Sequence, residues 1–211
     1  MRRRLSKNGL KKDKRMTSRK EILERIRKLD LERVPLPDID IQAFEPDIDD
    51  LKGEFMKMAT SVGVSCVDDL KPISFFEQWT TLFPNATSLI TSCKDFEKYN
   101  TFPLDTMENQ SELEDLDLFV VRASFGVAEN GSVWIPEKDL PIRVLPFICK
   151  HLVILLDPGQ IVSTMHKAYH NLESRDDGFG VFISGPSKTA DIEQSLVIGA
   201  QGALSVHLLF D

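Results

Sequence analysis

Cysteine is scarce in this chain: Cys66, Cys93 and Cys149 are the only three among 211 residues, and they stand 27 and 56 residues apart. No metal-binding spacing exists among them. Iron–sulfur ligation, which wants four thiolates at short spacings, is excluded within this chain. An odd, sparse set of thiols without an apolar secretory leader fits unpaired cysteines in a reducing compartment. No apolar run approaches the ~18 residues that a membrane span requires, so the sequence reads as a cytoplasmic, soluble protein without membrane insertion. Glycine and proline, 11 of each, are too few for a collagenous or low-complexity chain.

Charge is present but divided. Residues 1–20 hold ten Lys or Arg against Asp13 alone, whereas residues 21–211 hold 16 basic and 32 acidic residues. The footprint of phosphate-backbone binding is a basic stripe spread over a fold, and an acidic body argues against nucleic acid as a partner. The basic head, residues 1–15, has no continuous amphipathic period. We expect a disordered extension there, or a start codon placed upstream of the true one at Met16.

From Thr17 the pattern becomes regular. Ile22, Leu23, Ile26 and Leu29 form one helical stripe after a Thr17 or Ser18 cap, predicting a helix with one packed face. Pro35, Pro37 and Pro46, with acidic residues between them, then make a linker to about residue 50. A helix is expected over residues 49–62, closed by Gly63, and a short strand over 64–67. Further on we read a helix at 74–83, strands at 86–91 and 116–122, a short element at 123–128, and a strand at 132–135 after the turn Glu129-Asn130-Gly131. The run Leu152-Val-Ile-Leu-Leu156 has the look of a strand buried on both faces. Asp157-Pro158 then supplies a cap and first-turn proline for a helix carrying Ile161, Met165, Ala168, Tyr169 and Leu172 on one face. A strand at 179–184, a helix at 189–199 and a last strand at 205–210 complete the pattern. Strand and helix in alternation predict parallel βαβ units and an α/β fold.

Familiar catalytic spellings are missing. Gly178-Phe-Gly180-Val-Phe-Ile183 has Ile183 where a dinucleotide fingerprint needs its third glycine; there is no P-loop and no Gly-x-Ser-x-Gly elbow. His166 and His170 share a helical face, but no third ligand can be named, so we assign no metal. His207 reads as a satisfied core histidine. The loop Ser184, Gly185, Pro186, Ser187, Lys188, Thr189 stands apart: a strand ends in a hydroxyl-rich loop expected to open a helix. Free N–H groups and a helix dipole would then meet at the C-terminal sheet edge and hold an anion. The competing reading is an ordinary cap by Ser187 or Thr189, with Asp191 and Glu193 complementing the dipole.

That segment carries a resemblance. Ser184-Gly-Pro-Ser-Lys-Thr-Ala-Asp-Ile-Glu-Gln194, followed by Leu196-Val-Ile-Gly199-Ala-Gln-Gly202 and by Leu204-Ser-Val-His207, resembles the C-terminal hallmark of the LUD-domain family, in its lactate utilisation protein C branch. Gly126-Val-Ala-Glu129-Asn-Gly131 is similar to that family's Ala-Glu-Thr-Gly turn, with Asn130 in place of threonine. Met16-Thr-Ser-Arg-Lys-Glu-Ile resembles its usual opening. The likeness implies an open, mostly parallel sheet flanked by helices, of the sugar-phosphate isomerase and CoA-transferase type, spanning residues 51–211. Residues 16–50 precede it as a helical extension and linker. It also implies a component of a multi-protein system oxidising L-lactate to pyruvate, in which partner oxidoreductase subunits carry the iron–sulfur clusters and this chain carries no cofactor.

On these grounds a small carboxylate or phosphate would bind Ser184, Gly185, Ser187, Lys188 and Thr189, with Asp191 as a second carboxylate and the Gly131 turn nearby. Glu129 is the candidate general base or ligand-orienting carboxylate. An accessory subunit docking on an iron–sulfur oxidoreductase, and a stand-alone isomerase or acyl-CoA transferase of the same fold, are the competing readings.

Overall fold

The structure is a computed structural model that describes residues 18–29, 37, 46, 48–101, 110–173, 178–190, 196–198 and 202–211. The chain forms two compact units, residues 1–40 and 41–211. In the first, helix α1 (Ser18–Lys28) forms where the periodicity places it. Its apolar stripe, Ile22, Leu23, Ile26 and Leu29, is left uncovered by the described residues of its own unit. Local spacing suffices for the helix, while burial needs a partner surface that spacing does not supply.

The second unit is built on a five-stranded, wholly parallel sheet. Its strands are β1 (Val64–Val67), β2 (Leu89–Thr91), β3 (Leu118–Arg122), β6 (His151–Leu156) and β11 (Ser205–Phe210), in the order β1-β11-β6-β3-β2. Central β6 is buried from Leu152 to Leu156, which explains its uninterrupted apolar run. Two helices cover the two faces. Phe55 and Ala59 of α2 (Leu51–Ser61) join Phe119, Leu152, Ile154, Val206 and Leu208 in one core. On the other face, Phe75, Phe76 and Trp79 of α3 (Pro72–Leu82) meet Leu118, Val120, Val153, Leu155 and Leu209. Asp50 caps α2, its carboxylate accepting the Gly53 N–H at 2.8 Å.

A second sheet of four strands contributes to the α2 core through Val133 and Ile135. It contains β4 (Phe125–Val127), β5 (Ser132–Pro136), β7 (Ile161–Val162) and β8 (Gly180–Ile183), ordered β7-β4-β5-β8. Its other side packs Phe125 and Val127 against Ala168 of α5 (Met165–Glu173). The short helix α4 (Leu145–Ile148) leads into β6.

Three expectations are revised here. The helix read from residue 158 is a 3-10 turn, Pro158–Gln160, then strand β7, and α5 starts only at Met165. Asp157 still caps the turn through the Gly159 N–H, but Ile161 and Val162 are claimed by pairing with β4, and Thr164 Oγ1 begins a new cap on the Lys167 N–H. Strand β8 is not a parallel neighbour of β6 and β11; it pairs antiparallel with β5 in the second sheet. Lastly, of the helix read over residues 189–199, residues 189–190 and 196–198 lie instead in strands β9 (Lys188–Ala190) and β10 (Leu196–Ile198), which pair antiparallel, and residues 191–195 and 199 lie outside the described residues. Thr189, Val197 and Ile198 are β-branched, and pairing between the segments overrides a helical spacing too short to decide the matter.

The β4–β5 turn is pinned from behind. Gly131 has φ +65°, and a Cβ there would lie 2.4 Å from the backbone N of Ala59 in α2. Gly131→Ala should therefore cost at least about 3 kcal/mol, from left-handed strain plus displacement of α2. Equilibrium urea unfolding measures this; a loss below about 1 kcal/mol would show that the turn does not bear on the helix.

Candidate functional site

The Ser184 loop is held at three points. Ser184 Oγ donates to the carbonyl of Asn130 at 3.1 Å, joining the loop to the β4–β5 turn. Gly185 has φ +82°, and a Cβ there would fall 2.4 Å from the Val62 carbonyl oxygen at the end of α2, so only glycine allows this approach. Ser187 N–H donates to the Ala203 carbonyl at 3.1 Å. The loop is thus clamped between the end of α2 and the segment entering β11.

Between these clamps lies a pocket of about 240 Å³. Ser184, Gly185, Ser187 and Gly202 bring polar and backbone atoms to it, while Phe147, Leu152, Phe182, Ile183 and Val206 give it apolar walls. Phe147 is itself 46% exposed. Such a mixed lining suits a small molecule with an apolar body and a head that accepts hydrogen bonds. Leu152 and Val206 are each the second residue of their strand, so the pocket opens near the N-terminal edge of the parallel sheet. The expected C-terminal edge is corrected, because β8, the strand that delivers the loop, belongs to the other sheet. With β9 where a helix was expected, the helix dipole and its free N–H groups are also removed from the site.

The candidate residues therefore separate. Ser184, Gly185 and Ser187 come together on the pocket. Exposed Lys188 stands back, its Nζ 3.6 Å from the position of a Cβ on Gly63, beside the C-terminal end of α2, where a cation complements the helix dipole. Thr189 is paired with Val197 of β10. Asp191 lies outside the described residues. Gly131 supports the turn that Ser184 grips. Glu129, on that turn, is exposed and its Oε2 accepts the Met165 N–H at 2.7 Å, capping α5. Its carboxylate thereby ties the turn that carries Asn130 to α5. Phe147, Gly202 and Ala203 were missed by sequence reasoning, since nothing in their spacing connects them to residue 184.

A second polar group occupies the same edge. Asp117, 5% exposed, accepts from Thr87 N–H at 2.7 Å, from Ser88 N–H at 3.2 Å and from Lys150 Nζ at 2.7 Å. Burial alone would push its pKa up, but these donors outweigh burial and hold the carboxyl well below the usual range. Next to it, Ser205 Oγ bridges His151 Nδ1 at 2.8 Å and His207 Nε2 at 2.9 Å. Burial pushes both imidazoles below their ordinary pKa. His207 is thus partnered, as the sequence suggested. Ser205 and His151 are register partners in β11 and β6, so only strand pairing reveals the trio. The histidines of α5, His166 and His170, both lie exposed.

Comparison with known proteins settles the family. A family model described as the LUD domain matches residues 47–210. This chain belongs to the LUD-domain family. It is 32% identical over 111 residues to a protein named Lactate utilization protein C from Bacillus pumilus, covering 49% of this chain and 46% of that one. It is also 32% identical over 117 residues to the Uncharacterized protein YkgG from Escherichia coli, covering 52% and 50%. The chain thus spans about half the length of the curated relatives it matches. Among solved structures, a DUF162 family protein from Deinococcus radiodurans has a similar fold, with TM-score 0.55 and 13% identity over 76% of this chain and 95% of that one.

The titrating groups give this LUD domain a definite acid response. His151 and His207 have lowered folded pKa values, so the unfolded chain binds protons more readily and stability falls as pH drops through about 6.5. Asp117 has a lowered folded pKa as well; its contribution is complete above about 3.9 and is lost as pH falls below that. Urea midpoints from pH 8 to pH 3 should fall in these two stages, and Asp117→Asn should remove the lower one. A midpoint unchanged between pH 8 and 5.5 contradicts the histidine assignment.

Proposed function

We propose that this LUD domain serves lactate utilisation as a component without a redox centre of its own, holding a small carboxylate or related anion in the Ser184–Ser187 pocket and working beside iron–sulfur partner proteins. The observation that carries this reading is the match to a relative named for lactate utilisation, together with a clamped hydroxyl-bearing loop over a pocket of suitable size. The thiols support the division of labour. Cys66 lies in β1, Cys93 follows β2, and Cys149 closes α4; burial pushes Cys149 up to about 12 and raises the other two. Thiols so placed and so reluctant to ionise are a poor donor set for a cluster, so electrons would move through partners.

Within the pocket, Ser187 and the backbone at Gly185 and Gly202 would address the carboxylate, on a loop that Ser184 anchors by giving its one hydroxyl proton to the Asn130 carbonyl, while Phe147, Leu152 and Val206 exclude water from the apolar end. Glu129 is the positioning residue of this arrangement: by tying its turn to α5 it fixes the carbonyl on which Ser184 rests. Because residues 21–211 are acidic overall, attraction must come from these local donors rather than from net charge.

Thermal shift and calorimetry with lactate, pyruvate, phosphate and CoA test the pocket. At about 100 times Kd a ligand contributes about 2.7 kcal/mol, which in a domain of this size raises Tm by roughly 5–10 °C. Ser187→Ala should weaken binding about tenfold, the loss of one hydrogen bond to a charged group, and Ser187→Phe should abolish it. No response of the wild-type protein to any of the four sinks the pocket as an anion site. Retention of cysteine-rich iron–sulfur proteins on the purified chain tests the partnership separately.

A further inference from the structure

Strand β11 separates two cavities. Val206 faces the Ser184 pocket, and the next residue, His207, faces the opposite side of the sheet, as alternation along a strand requires. There it lines a second cavity of about 160 Å³ whose other walls include Leu70, Phe75, Phe83 and Leu209, with the 45%-exposed Leu82 at the mouth. Among the described residues, His207 is the one polar side chain in this lining. An apolar cavity of about 150 Å³ lined by Leu, Ile and Phe is known to stay dry and to take up benzene. The space here is of that size and chemistry, with an imidazole added.

We propose that this cavity is a binding site for a single aromatic ring bearing one hydroxyl or carbonyl, with the ring against Phe75, Phe83 and Leu209 and the polar group on His207. The trio around Ser205 explains why either polar group is acceptable. Nε2 of His207 is engaged by Ser205 Oγ, so Nδ1 is the nitrogen that addresses a ligand. The serine hydroxyl has one proton. When Ser205 donates it to His151 Nδ1, His207 must carry its hydrogen on Nε2, and Nδ1 accepts from a ligand hydroxyl. When Ser205 donates to His207, the hydrogen sits on Nδ1 and meets a ligand carbonyl. His151 on the far side of Ser205 has Asp117 and Lys150 beside it. Phe83 packs on both imidazoles, 5.0 Å from His151 and 5.1 Å from His207 between ring centroids, and fixes their orientation.

The probes are p-cresol, which both donates and accepts, and toluene, which does neither. Both are titrated into the full chain while the histidine ring and methyl resonances are followed by NMR. Wild-type protein should bind both rings, with the His207 resonances moving for p-cresol. Leu82→Trp, which fills the mouth without opening the core, should abolish binding of both. His207→Phe should keep toluene and reduce the p-cresol-to-toluene affinity ratio about tenfold. Failure of either ring to bind the folded wild type, or undiminished binding to Leu82→Trp, overturns the site. An affinity ratio unchanged in His207→Phe overturns the role of His207. Since lactate carries no ring, this outcome is independent of the anion titrations on the other side of β11.

Discussion

The parallel register of β11 on β6 is the constraint from which the rest of this domain follows. Six consecutive residues pair, from Ser205 on His151 to Phe210 on Leu156, and side chains alternate across the two strands in step. On one side Leu152, Ile154, Val206 and Leu208 form the floor under α2. On the other, Val153, Leu155 and Leu209 meet the aromatic side of α3. A slip of β11 by one residue would invert its side chains alone, burying His207 beneath α2, turning Leu208 toward α3 and parting Ser205 from His151. Both cavities, the Ser184 pocket and the space lined by His207, exist because that slip does not occur.

Polar groups gather where these strands begin. Asp117 binds the backbone of residues 87 and 88 ahead of β2 and the ammonium of Lys150 ahead of β6, so one buried carboxylate ties together the entrances of three adjacent strands. Ser205 does the same between β6 and β11 through two imidazoles. A buried carboxylate is tolerated only when its acceptor sites are filled, and this one receives donors from two neighbouring segments. The same edge consequently holds the network that stabilises the sheet and the openings that would admit ligands.

Much of the fold could be read in the residues. The apolar run at 152–156, the helix capped by Asp50 and the turn at 129–131 each depend on neighbours within a few positions, and each stands where expected. Failures of the reading share a cause. Residues 161–162, 189–190 and 196–198 all fell within segments read as helix; β4 offers backbone partners to the first, and the other two pair with each other as β9 and β10. The candidate site was legible in part for the same reason. Ser184, Gly185 and Ser187 belong to one loop and were found together, whereas Phe147, Gly202 and Val206 reach the pocket from distant segments.

The sequence by itself determined the class of fold, the family likeness, the scarcity of thiols and the loop that would touch a ligand, because composition, capping and short-range alternation are local properties. Tertiary structure decided which sheet each strand joins, and with it that the loop runs into a strand rather than a helix. It also decided that Glu129 holds a turn, and that His151, Ser205 and His207 stand in line beside an apolar cavity. Those outcomes rest on pairing and side-chain contacts between separate segments, and no periodicity within a segment records which partner it will meet.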